Sequence, residues 1–125
     1  MSDGLPEPVR IVFEQLVSDL DGVGLSLLRT QIRKHHDQFH RAARSNGLLP
    51  LDIATALAKG LERLLDQFHE LGDREQALVA GAAKYFVSDC DARPDLESVL
   101  GLDDDLIVFN WVVAEIGRPE LSIDL

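Results

Sequence analysis

Three of the chain's four histidines fall in one short run, His35-His36-Asp37-Gln38-Phe39-His40. His36 and His40 are four apart, so on a helix both project from one face at a spacing that suits shared ligation of a metal ion. His69-Glu70 ends a later apolar segment and offers a third imidazole and a carboxylate to the same site. The residue after His36 is Asp37 where a zincin helix carries Glu, so that protease signature is absent. The competing reading of the pair is a solvated or interface face of a helix. His35 differs from both, because it shares an apolar stripe with Ile32 and Phe39 and is expected to be a core or interface histidine. A second set of donors is the acidic stretch 89–105, whose oxygens would prefer Mg²⁺ or Ca²⁺. Its spacing lacks the alternate acids, central Gly and distant Glu of a calcium loop. A divalent metal is thus the one cofactor that these residue types suggest.

Nucleophilic chemistry has less support. Cys90 has no His close in sequence, and the flanking Asp89 and Asp91 hold its thiol protonated, which suppresses the reactive form. There is no Gly-x-Ser-x-Gly and no phosphate-binding loop; Gly22-Val23-Gly24 lacks the third Gly and a preceding strand. Asp104 and Asp105 are neighbours and project in different directions from a helix, which does not suit paired acid–base work. The balance is against an enzyme.

Charge gives a stronger pattern. Residues 29–44 carry Arg29, Arg33, Lys34, Arg41 and Arg44 with Asp37 as the only acid. Residues 85–125 carry ten acidic residues against two basic ones. The basic segment can pair with acids of its own chain, with a second copy, or with a separate anion. Over all 125 residues there are 22 Asp and Glu against 12 Lys and Arg, a formal net charge of -10. Such a field repels phosphate, so nucleic acid and anionic membrane are unfavourable partners for residues 29–44. A protein partner, first of all a second copy, is the expected one.

The elements that must position these groups follow from hydrophobic period. Apolar residues recur at three and four almost throughout, which predicts an all-α bundle in one domain, with approximate helices over 8–21, 25–46, 51–71, 73–88 and 103–117. The first carries Val9, Val12, Phe13, Leu16, Val17 and Leu20 and is broken by Asp21-Gly22 and Gly24. The second buries Leu25, Leu28, Ile32, His35, Phe39 and Ala42 along one stripe. The third carries Ile53, Leu57, Leu61, Leu64 and Phe68 after a cap at Asp52 and stops at a left-handed Gly72. The fourth opens on a capping box of Asp73 and Gln76, and its small residues Ala80 to Ala83 admit a close helix neighbour. The fifth is apolar on most sides, from Leu106 to Ile116, and is expected to be the central helix, capped at Asp103. No window of about 18 residues is free of charge, and the N-terminus lacks a basic segment followed by an apolar one, so no span or signal peptide is expected. A single Cys fits a cytoplasmic, reducing setting.

One stretch carries a family pattern. Tyr85, Ser88, Asp91, Pro94, Asp95, Gly101, Asp104 and Asp105 stand in register, without a gap, with the motif of the YkvA-like proteins, domain of unknown function 1232. The chain resembles that family over residues 78–116. The resemblance implies a helix-loop-helix unit and no established reaction. Asp89 stands in place of the Pro that follows the family's Ser, and Ala92, Arg93, Glu97 and Asp103 make this loop less apolar, which argues against membrane contact. The same residues have a purely structural reading, as helix ends and turns: Ser88 and Asp91 closing one helix, Pro94 keeping Arg93 extended, Gly101 supplying a positive φ.

Overall fold

The computed structural model describes residues 4–17, 22–45, 51–92 and 100–123, with side chains for 4–17, 24–45, 51–87 and 104–123. Among the described residues five α-helices follow one another: α1 (Glu7–Leu16), α2 (Gly22–Ser45), α3 (Leu51–Asp66), α4 (Asp73–Ala92) and α5 (Leu100–Glu115). Short 3₁₀ turns, Phe68–Glu70 and Pro119–Leu121, follow α3 and α5. The described residues contain no strand, and the fold is an all-α bundle.

Each boundary has a local cause. Helix α1 follows Pro6 and has Pro8 in its first turn, where a missing N–H costs no intrahelical bond. Glu7 there opposes the positive end of the helix dipole. Helix α2 starts at Gly22, so Gly22 and Gly24 lie inside a helix that they were expected to interrupt. Glycine costs little in a first turn, whose N–H groups have no intrahelical partner in any case.

The end of α3 also departs from expectation. Gly72 does not take a left-handed conformation. The chain tightens instead: Gln67 N–H is shared between the Arg63 and Leu64 carbonyls at 3.3 and 3.2 Å, and Leu71 N–H donates to Phe68 at 3.1 Å. The Gln76 side chain does not turn back to Asp73 as in a capping box; its amide donates to the Phe68 carbonyl at 2.8 Å. Asp52 sits within the first turn of α3, not before it.

Among the described residues the only positive φ is at Gly117, 78°. It closes α5 in a Schellman arrangement, with Arg118 N–H donating to Val113 at 2.7 Å and Gly117 N–H to Ala114 at 3.2 Å. A Cβ at Gly117 would meet no atom within 4 Å, so only backbone strain opposes one. Gly117→Ala is therefore expected to lower stability by about 1 kcal/mol, with an unchanged slope in urea denaturation.

The buried stripes agree with the hydrophobic period. Leu28, Ile32, His35 and Phe39 are buried on α2, and Leu57, Leu61 and Leu64 on α3. The central helix, however, is α4 and not α5: α4 packs against all four other helices. Its run Val79, Ala80, Gly81, Ala82, Ala83 is buried throughout. Helix α5 has more apolar bulk, yet it leaves Ile107 39 % exposed. Small side chains, more than apolar ones, decide which helix others can surround. A Cβ at Gly81 would come within 2.9 Å of Phe13 and Val17, which is how closely α1 lies on α4.

Candidate functional site

Helix α2 lies along α3 and α4 and buries one stripe against them. The polar face left over carries the basic residues, and the structure divides them into two groups. Arg29 and Arg33 reach α3: Arg29 pairs with Asp66 at 2.8 Å, and Arg33 Nε donates to Glu62 Oε1 at 2.7 Å. The two acids are four apart, as are the two arginines, and the order reverses, so α2 and α3 run antiparallel. His36 continues the same seam, with its Nε2 3.0 Å from the Thr55 hydroxyl. Each ion pair joins an exposed side chain to a half-buried one and contributes about 0–1 kcal/mol. Their main effect is to neutralise this end of the basic segment.

The second group is Lys34, Arg41 and Arg44, all exposed. Among the described residues none of the three makes an ion pair. Lys34 and Arg41 are seven apart and Arg44 three further on, so they form one row about 15 Å long on the helix surface. Two adjoining surface hollows of about 370 Å³ each follow this row. Thr30, Arg33, Lys34, Asp37, Gln38 and Arg41 line one; Asp37, His40, Arg41 and Arg44 line the other. Both are open and cationic, with Asp37 the only carboxylate. Open hollows lined this way offer cationic side chains to an anionic group.

The histidines do not converge. His36 is half-buried on the α3 seam, while His40 is exposed beside Arg41 and Arg44. His69 lies on the 3₁₀ turn after α3, exposed and edge-on to Phe68 with ring centroids 6.2 Å apart. Among the described residues no three His, Cys, Asp or Glu side chains are grouped so that they could hold a metal ion. The expected core histidine is in place: His35 is 4 % exposed, its ring edge-on to Phe86 at 4.5 Å.

The residues that carry the resemblance expected from sequence are only partly within the described residues. Tyr85 and Asp105 are buried, and Asp104 is half-buried. Ser88 and Asp91 lie in the backbone of α4, which runs on to Ala92, so they do not form the turn expected of them. Gly101 lies within α5, and Asp103 no longer precedes that helix as a cap. Pro94 and Asp95 lie outside the described residues, as do the side chains of Ser88, Cys90, Asp91 and Asp103.

Glu62, Asp66 and Thr55 were missed as partners of the basic helix. The matched four-residue spacing of the two arginines and two acids was the available signal. Among the described residues no helix is long and apolar enough to cross a membrane. Compared with protein-family models, with curated proteins and with solved structures, the chain matches none.

Proposed function

We propose that this chain is a non-catalytic protein-binding module of the YkvA-like type, working in the cytoplasm, and that it binds through the cationic row of α2, with a second copy of itself as the first partner. The observation that carries this reading is the row itself: Lys34, Arg41 and Arg44 stand exposed on one face, while their neighbours Arg29 and Arg33 are neutralised by α3. A complementary surface must be acidic. The chain supplies acidity in quantity, with ten acidic residues against two basic ones over residues 85–125. The net charge of -10 disfavours nucleic acid and anionic lipid as ligands of the same row. The burial of Tyr85 and Asp105 supports a structural role for the family motif, which leaves α2 to make the contact.

The test is association at about tens of micromolar, followed by sedimentation in low and high salt. An electrostatic contact weakens steeply as the screening length falls from about 10 Å at 0.1 M to about 3 Å at 1 M salt. Reversing the three free charges (Lys34→Glu, Arg41→Glu, Arg44→Glu) is expected to abolish association. Each single change should alter stability by no more than about 0.5 kcal/mol, because these residues are exposed. A chain that stays monomeric and captures no acidic partner refutes the reading, as does association that the triple reversal leaves intact.

A further inference from the structure

The outer side of α1 carries charges in an order that complements the row on α2. On α1, Glu7, Arg10 and Glu14 read acidic, basic, acidic at steps of three and four. On α2, Lys34, Asp37 and Arg41 read basic, acidic, basic at the same steps. Such steps keep each trio on one side of its helix, and seven residues span about 10 Å in both. Glu7, Glu14, Lys34, Asp37 and Arg41 are exposed, and Arg10 is half-buried. Among the described residues Glu7, Arg10, Lys34, Asp37 and Arg41 make no ion pair. Asp37, the one acid in a cationic row, thus has its counterpart in Arg10, the one base of α1.

The order of the charges sets the direction of a contact. With the two helices running the same way, all three positions match at once: Glu7 with Lys34, Arg10 with Asp37, and Glu14 with Arg41. Run the opposite way, the outer charges still match, but Arg10 falls opposite Gln38 and Asp37 opposite Ile11. Ile11 stands between Glu7 and Glu14 on the same side of α1 and is 50 % exposed, so the contact also removes apolar surface from water. The charged ends of both trios face solvent in the folded chain, so the two sides do not meet within one copy.

On the reading that α2 binds a second copy of this chain, we infer that the surface receiving Lys34, Asp37 and Arg41 is the Glu7, Arg10 and Glu14 side of α1 in that second copy, with the two helices parallel. Alternating sign gives the contact its register. It also discriminates against a uniformly acidic surface, which Asp37 repels.

Two full-length variants test this by sedimentation at a concentration where the unaltered chain associates. One reverses α1 (Glu7→Lys, Arg10→Glu, Glu14→Lys), and the other reverses α2 (Lys34→Glu, Asp37→Lys, Arg41→Glu). Each sets like charges opposite one another, and each alone is expected to associate at least tenfold less tightly than the unaltered chain. In a mixture the reversed α1 of one meets the reversed α2 of the other, and affinity is expected to return to within about threefold of the original. The α1 variant is less acidic overall than the unaltered chain, so general repulsion does not account for its loss. Association that the α1 variant keeps and the α2 variant loses overturns the inference and leaves α2 as a surface for another acceptor. Association that the α2 variant keeps overturns both. Loss in both without recovery on mixing overturns the α1 assignment alone, and an unaltered chain that stays monomeric overturns it together with self-association through α2. Circular dichroism checks that each variant is folded. If Glu7→Lys unfolds α1, whose first turn favours an acid, Arg10→Glu and Asp37→Lys as single changes give the same cross, each weakening association and the mixture restoring it.

Discussion

Gly60→Ala is expected to lower the free energy of unfolding by about 1–3 kcal/mol, although alanine in place of a helical glycine normally raises it by about 1 kcal/mol. The reason is Phe109. A Cβ at Gly60 would stand 2.6 Å from Cζ and 3.0 Å from Cε1 of that ring. Phe109 is 1 % exposed and carried on α5, which packs against α3. A buried ring has little room to retreat, so the helices must separate or the ring must leave its rotamer. The contact is best tested as a cycle. Phe109→Leu removes the ring tip, and in that background Gly60→Ala should become neutral or mildly stabilising, because helix propensity is then the only term left. The resulting coupling is about 2 kcal/mol, within the range for residues in direct contact. Urea denaturation of the four chains measures it. Additive effects would show that Gly60 is not where the ring rests. Truncating the ring fully, Phe109→Ala, is expected to cost about 3–5 kcal/mol, a large share of the roughly 5–15 kcal/mol that holds a domain together.

That contact also shows what sequence can and cannot reveal in this chain. The stripes of α2 and α3 were legible because a period near 3.6 specifies a buried face without reference to any neighbour. Leu28, Ile32, His35 and Phe39 are buried as their spacing requires. Gly60 is different: inside the α3 pattern it reads as a small local cost, and its purpose appears only when α5 is set beside it. The same limit explains the misplaced centre of the fold. Apolar bulk pointed to α5, but α4 is surrounded because its alanines and Gly81 permit close approach from several sides. Helix ends were the least legible feature. Gly22, Gly24 and Gly72 look alike as residue types, yet none of them breaks a helix with a positive φ, which is found at Gly117.

The candidate surfaces divide in the same way. That residues 29–44 form a basic face was plain from composition. Which of those cations are free was not, because it depends on Glu62 and Asp66 lying across an antiparallel seam. The histidine pair shows the converse. Its helical spacing is real, but His36 turns into the seam toward Thr55 while His40 stays among arginines, so equal spacing puts the two in unlike surroundings.

Phe13→Ala is expected to cost about 3–5 kcal/mol and, unlike Phe109→Ala, to act on one helix before the rest. Phe13 is fully buried, edge-on to Trp111 with ring centroids 5.7 Å apart, and it lies in the space that Gly81 leaves open on α4. Helix α1 has only ten residues. Isolated helices shorter than about 12–15 residues are marginal in water, so α1 persists by docking. Once its central anchor is lost, the cheapest response is for α1 to leave α4 while the other helices keep their core. Amide exchange in residues 7–16 should then rise by about 10²–10³-fold, the factor that a 3–4 kcal/mol loss implies at 1.4 kcal/mol per decade. Amides of α3, which shares few contacts with α1, should change far less. Gly81→Ala approaches the same joint from the other side. Its new Cβ meets Val17 Cα at 3.3 Å as well as the Phe13 ring, and backbone cannot turn aside as a side chain can. It should therefore raise exchange in α1 in the same pattern, even though alanine favours helix α4 itself. An equal rise in α1 and α3 for either variant would make α1 part of a single cooperative unit and exclude its independent release.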